Sequence, residues 1–157
     1  MTKKFFPLVK FIAILSAGVS STALSDTSWN VPTGDWTVDG NWTANAPTSA
    51  VPATIDNGGI ATLSGTTGAS DILKIGDIQG GNGLLITNSG SLSSVSGQTG
   101  ATSTSSSNSV QVTGAGSTWN NTGLLFIGGD GSGNNLTIPG QLHARPDRLG
   151  AIYLRGA

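Results

Sequence analysis

The sequence predicts an all-β fold, a right-handed parallel β-helix built from stacked copies of one short strand-and-corner unit. Three observations predict it. First, residues 73–86 (LKIGDIQGGNGLLI) align without a gap to residues 125–138 (LFIGGDGSGNNLTI) at an offset of 52, with 7 identities in 14 positions. A unit recurring at a fixed offset marks a chain that stacks one element rather than wrapping an irregular core. Second, there are 24 Gly and no Glu, only 10% of residues are charged, and Ser, Thr and Asn fill the rest, which favours strands and turns over helices. Third, the apolar residues fall in short clusters bounded by Gly and Asn, as many short strands require.

The first 25 residues read as a separate object. Lys3, Lys4 and Lys10 form a basic n-region, and Phe11 to Val19 an apolar stretch of 9 residues. Ala23 and Ser25 then offer small side chains at the −3 and −1 positions of a cleavage site. This is the layout of a secretory signal peptide, predicted as a helix, and its apolar stretch is too short to span a bilayer. It predicts an exported protein, either secreted, periplasmic or on the cell surface. The absence of Cys is compatible with export and removes disulfides from the stability argument.

Residues 26–139 are the predicted β-helical part. They open with Trp29, Trp36 and Trp42 among Gly, Asn, Thr and Pro. Strand candidates follow at Ala53–Ile55, Ile60–Leu63, Ile72–Ile75, Leu84–Ile86, Val110–Val112, Leu124–Ile127 and Leu136–Ile138. Turn signals separate them: Asn57-Gly58-Gly59, Gly80-Gly81-Asn82-Gly83, Asn88-Ser89-Gly90, Gly114-Ala115-Gly116 and Gly128 to Gly133. A weaker echo links residues 55–59 (IDNGG) with 86–90 (ITNSG). Residues 94–109, almost entirely Ser, Thr and Gly, fit either a polar rung of the stack or an excursion from it. With rungs of roughly 20–30 residues the stack holds about four or five. Inward Ile and Leu would form its core, Gly and Asn its corners, and Ser, Thr and Asn ladders a solvated outer face.

Residues 140–157 are an anomalous tail. Every Arg of the chain (Arg145, Arg148, Arg155), the single His143 and the single Tyr153 lie there, and the Asn-Gly corner pattern stops at Ile138-Pro139-Gly140. The change predicts a truncated or frame-shifted reading frame, with a different C-terminal cap as the alternative, and a loosely attached segment that stays off the stack and holds at most a short strand or turn at residues 151–154.

Composition excludes several functions. Residues 26–139 carry one base, Lys74, against seven Asp, a net charge of −6. Nucleic acid is therefore not an expected partner, because its recognition needs clustered cations. With no His or Cys in this span, nucleophilic triads and zinc sites have no residues to build them. No metal site, cofactor or catalytic residue is expected, and the chain reads as a non-enzyme. Two acids are enough for a glycosidase, so the pairs Asp35 with Asp39 and Asp71 with Asp77 keep a glycan-active β-helix enzyme open as an alternative. Trp29, Trp36 and Trp42 suit either an apolar cap on the stack or a sugar-stacking platform, and the latter would make the chain a carbohydrate-binding module. Gly128 to Gly133 approximates a calcium-binding nonapeptide, but Gly133 stands where that motif has Asp, and a turn is the better reading.

The run Val112-Thr113-Gly114-Ala115-Gly116-Ser117-Thr118-Trp119, then Leu125-Phe126-Ile127-Gly128, then Gly133-Asn134-Asn135-Leu136-Thr137-Ile138, resembles the repeat of autotransporter passenger domains. Upstream, Gly34-Asp35-Trp36, Gly40-Asn41-Trp42 and Ile55-Asp56-Asn57-Gly58-Gly59 resemble the segment that opens such passengers. The resemblance spans about residues 34–139 and rests on structural, Gly-rich motifs. It implies an exported passenger fragment acting in adhesion or surface display, with a host or cell-surface glycan or protein as partner. The family also implies an outer-membrane β-barrel translocator, for which this sequence has no segment.

Overall fold

The computed structural model describes residues 25–139 and the strand 152–154; the predicted signal peptide and most of the tail lie outside the described residues. The chain forms a parallel β-solenoid of about four turns. One sheet is built from β1 (Thr27–Ser28), β3 (Ala53–Ile55), β5 (Thr67–Ile75), β7 (Ser91–Thr99), β10 (Leu125–Ile127) and β12 (Ile152–Leu154) in that order, with β9 (Thr118–Asn121) beside the first half of β7. The other stacks β2 (Thr33–Asp35), β4 (Ile60–Ser64), β6 (Gly83–Thr87), β8 (Ser109–Val112) and β11 (Asn135–Thr137). Every strand pairing is parallel, because each turn of the solenoid brings the chain back to the same face in the same direction.

The register explains the 52-residue echo. Ile60 pairs with Gly83, Gly83 with Ser109, and Ser109 with Asn135, so successive rungs advance by 23, 26 and 26 residues. In the other sheet Leu73 pairs with Gly97 and Gly97 with Leu125, advances of 24 and 28. Both routes from the first copy to the second total 52 residues, so the echo spans two rungs rather than one. The weaker echo is not a repeat of structure. Ile55 ends a strand of the first sheet and Ile86 lies in a strand of the second, so the two corners turn in different places.

The inward side chains form one core. Ala53, Ile55, Leu73 and Ile75 from the first sheet meet Ala61, Leu63, Leu84, Ile86, Val110 and Val112 from the second, all buried. Alternation along β4 and β5 places them inward, and each buried Leu or Ile contributes about 1.5–3 kcal/mol. The polar residues depart from expectation. Thr27, Ser70, Asn82, Ser94, Thr99 and Asn108 are buried rather than solvated on an outer face.

Residues 94–109 divide. Ser94 to Thr99 belong to β7, in register with Ser70 to Ile75, while residues 100–108 form a corner that stacks on the turn before it. The tail is corrected in part. Ile152–Leu154 is a strand, and it joins the first sheet on β10 with Leu125, Phe126 and Ile127 as register partners, where the sequence predicted a tail off the stack. Three residues of adequate β-propensity meet an unpaired edge there, and backbone pairing suffices without an Asn-Gly corner.

Candidate functional site

The first candidate, the tryptophan cluster, closes the N-terminal end of the stack. Trp29, Trp36 and Trp42 are 3%, 1% and 3% exposed. Trp42 packs edge-on against both partners, with ring centroids 5.0 Å from Trp29 and 4.8 Å from Trp36. Its Nε1 donates to the Trp36 carbonyl at 2.7 Å. The segment after Trp36 folds back over the first rung. Asn30 N donates to Asn41 O and Thr43 N to Ser28 O, which covers the outer edge of β1, and Asn41 Nδ2 donates to Asp35 O at the edge of β2. A sugar-stacking platform needs exposed, coplanar rings. Here Trp36 and Trp42 are buried and meet at 75°, so the carbohydrate-module reading loses the feature that carried it. Trp119 is only half-buried at the other end, with Nε1 donating to Ser94 Oγ at 2.9 Å.

Three of the four candidate carboxylates, those of Asp35, Asp39 and Asp77, are occupied locally. Asp35 Oδ1 accepts from Thr37 N at 2.7 Å and Thr37 Oγ1 at 2.6 Å, and Asp39 Oδ1 accepts from Ala46 N at 3.0 Å. All three bonds tie down the cap segment. Asp77 pairs with Lys74 at 3.1 Å, the one ion pair among the described residues. Asp71 lies at the bend of β5, on the opposite side of Ile72–Ile75 from Asp77, so about 10 Å of extended strand intervenes. Among the described residues no group of three His, Cys, Asp or Glu side chains is placed to hold a metal ion. Gly128 to Gly133 is a corner. Gly128 N donates to Thr99 O and Gly131 N to Gly100 O, and Asp130 is exposed.

Two polar constructions escaped the sequence reading. Asp56 accepts backbone N–H bonds from Asp77, Ile78 and Gln79 at 2.7–3.0 Å to its Oδ1, so one carboxylate organises the turn of the next rung. The other is a ladder of Asn82, Asn108 and Asn134, one per rung at 26-residue spacing. Asn108 Oδ1 accepts from Asn82 N at 2.9 Å and Asn82 Nδ2 at 2.8 Å. Asn134 Oδ1 accepts from Asn108 N at 3.0 Å and Asn108 Nδ2 at 2.8 Å. Each Nδ2 also donates back to the carbonyl three residues earlier: Gln79, Ser105 and Gly131. The residue before each Asn has positive φ: Gly81 at 75°, Ser107 at 59° and Gly133 at 66°. Halving the 52-residue offset to 26 would have found the middle member.

The outer face of the first sheet carries the main apolar surface. Ile72, Val95 and Leu124, 41–48% exposed, gather where β5 and β7 bend and where the chain enters β10. Ile72 is the register partner of Ser96, whose next neighbour up the stack leads into β10. Beside them Thr54, Lys74, Gln98 and Phe126 form an outward row in register. A shallow groove of about 460 Å³ runs between Trp36, the cap residues Ala46–Ser49 and Thr67–Ala69. Comparison with protein-family models, curated proteins and solved structures returns no match to this chain.

Proposed function

We propose that the chain is an exported, passenger-like β-solenoid that acts without catalysis in adhesion or surface display. The observation that carries this reading is the apolar outer face around Ile72, Val95 and Leu124, flanked by the row from Thr54 to Phe126. Apolar side chains gathered on an ordered sheet are what a surface for a cell-surface glycan or protein requires. Export is supported by the signal-peptide layout of residues 1–25 in the sequence. The resemblance to autotransporter passengers agrees with both. The engagement of Asp35 and Asp39 in turns and of Asp77 in an ion pair counts against the Asp-pair enzyme.

The test has two arms. Expressed in a two-membrane bacterium, the protein should be recovered outside the cytoplasm with Asp26 as its first residue; a cytoplasmic chain retaining Met1 would defeat the export reading. In a cell-adhesion assay the exported protein should retain cells on a coated surface. The double variant Ile72→Ser, Leu124→Ser should lose most of that retention with an unchanged circular dichroism spectrum. Equal retention by both proteins would remove this face from the proposal.

A further inference from the structure

The first rung of the solenoid lacks one strand. The first half of β5, Thr67–Ser70, stacks on Ser91–Ser94 of β7, and those residues stack in turn on β9. On the side away from β7, β3 pairs only with Leu73–Ile75, and among the described residues no strand lies against Thr67–Ala69. Ser91 N donates to Thr66 O, so the backbone groups of Gly68 turn towards β7 and those of Thr67 and Ala69 turn away from it. Asp71 N keeps that alternation and donates across to Val51 O, while the N–H and C=O of Thr67 and Ala69 meet no partner among the described residues. The groove of about 460 Å³ lies against them, between β5 and the cap residues 46–49, where the missing strand would run. That volume is within the range of ligand clefts, about 300–1,000 Å³. Trp36 forms the inner wall. Its Nε1–Cδ1 edge lies against Gly68, where a Cβ would come within 2.7 Å of Nε1. Trp36 is 1% exposed, and its Nε1 has no hydrogen-bond partner among the described residues; nor has the buried Oγ of Ser70, two residues beyond Gly68.

We infer that this gap binds an extended, basic peptide segment of another protein, which adds the missing strand to the edge of β5. The edge supplies main-chain donors and acceptors in the alternation that strand addition uses. Charge complementarity selects the occupant. Residues 25–73 hold five Asp and no Lys, Arg or His. Asp35 adjoins Trp36, and Asp39 Oδ1 holds the N–H of Ala46 in the lower wall. Asp71 stands at the end of the edge, its carboxylate in neither an ion pair nor a hydrogen bond among the described residues. Side chains on an added strand alternate between the two faces. The one opposite Gly68 points inward at Trp36 and must be small, and a Ser hydroxyl there offers the acceptor that Nε1 lacks. Those opposite Thr67 and Ala69 point outward, where a Lys opposite Ala69 reaches diagonally towards Asp71. The segment that fits best therefore alternates small and basic residues.

Chemical-shift mapping of the isotope-labelled full chain tests this, with acetyl-Ser-Lys-Ser-Lys-Ser-amide as the probe. At low salt the amide resonances of Thr67 and Ala69 and the indole N–H of Trp36 should move together. Half-saturation should fall at about 1 mM, as a contact far below standard interface size implies. Raising salt to about 0.15 M should weaken binding severalfold, and acetyl-Ser-Glu-Ser-Glu-Ser-amide should not bind. Ala69→Pro removes the N–H that faces the gap and leaves the bonds to β7, a placement an edge strand tolerates, and it should abolish binding. Where that variant loses the dispersed spectrum of the fold, Ser49→Lys serves instead. It puts a cation on the exposed lower wall without breaking a side-chain bond, and should weaken binding at least about fivefold. The absence of shifts, shifts that map elsewhere, or equal binding of the acidic peptide overturns the inference. So does binding unchanged in a folded Ala69→Pro variant or in Ser49→Lys. Protection of the Thr67 and Ala69 amides from hydrogen exchange without peptide also overturns it, since the chain itself, or a second copy where protection rises with concentration, would then fill the gap.

Discussion

Replacing Asn108 by Ala tests the buried corner ladder at its most loaded member. Asn108 is fully buried and takes part in five hydrogen bonds through its side chain and N–H. Truncation leaves Asn82 N–H, one Asn82 Nδ2 proton and Ser105 C=O without partners in a site with no solvent. At about 1–3 kcal/mol for each unsatisfied buried group, partly relaxed by a trapped water, the loss should reach about 3–5 kcal/mol. For a domain of ordinary stability that is roughly half of what holds it folded. Asn134→Ala removes a similar set of contacts at a half-exposed site where water can substitute, and should cost about 1 kcal/mol. Asn108→Asp supplies a third point. A buried carboxylate keeps the acceptor for Asn82 but faces Ser105 O and Asn134 Oδ1 with oxygen instead of NH₂. Burial raises the folded-state pKa of that carboxyl above its unfolded value, so the variant binds more protons folded than unfolded and gains stability relative to wild type as pH falls. Urea titrations with a common m-value measure all three. Equal losses for Asn108→Ala and Asn134→Ala, or a loss under 1 kcal/mol for Asn108→Ala, would refute the ladder as a source of stability.

Other expectations follow from the same geometry. Ser107→Gly should stabilise the fold by about 0.5–1 kcal/mol, because Ser107 holds φ at 59° where neighbouring rungs use Gly; a destabilised variant in urea unfolding would contradict it. Gly131→Ala should cost more than Gly81→Ala, since a Cβ at Gly131 would meet Ser105 O whereas Gly81 faces open space, leaving only a backbone penalty of about 1 kcal/mol. Trp42→Phe should lose about 1–2 kcal/mol through the missing bond to Trp36 O, visible as a lower thermal midpoint in circular dichroism. Asp56→Ala should cost about 2–3 kcal/mol by freeing three N–H groups, while Lys74→Met, which breaks a half-exposed ion pair, should stay within about 1 kcal/mol of wild type.

The strands legible in the sequence were those with apolar alternation. Ala53–Ile55 is found with its predicted bounds, and Ile60–Leu63, Ile72–Ile75, Leu84–Ile86 and Val110–Val112 lie inside observed strands. Thr27–Ser28, Thr33–Asp35, the first half of β7 and Thr118–Asn121 were not foreseen, because they carry few apolar residues to show a period. Neighbouring backbones hold them, helped by polar pairs such as Ser91 with Thr118 and Ser94 with Asn121. The buried Ser and Asn ladders were invisible for a related reason. A polar residue reads as exposed until the rung above supplies its partner, and that partner lies about 26 residues away. The tryptophan cap was legible as one of two readings, and burial decides between them. Asp56 read as part of an Asn-Gly corner, since nothing local shows that its carboxylate serves the turn 21 residues later.

Cross-linking by paired cysteines tests the stacked parallel register most directly, and the chain contains no Cys to interfere. Lys74 and Gln98 are register partners on the outer face of adjacent strands, and Phe126 follows Gln98 one rung on. Adjacent strands lie about 4.8 Å apart, within the Cα separation a disulfide accepts, while two rungs span about 9.6 Å, beyond it. The variant Lys74→Cys, Gln98→Cys should therefore oxidise to an intramolecular disulfide in high yield under mild conditions, as should Gln98→Cys, Phe126→Cys, whereas Lys74→Cys, Phe126→Cys should remain reduced. Efficient cross-linking of the two-rung pair, or none in the adjacent pairs, would contradict the solenoid.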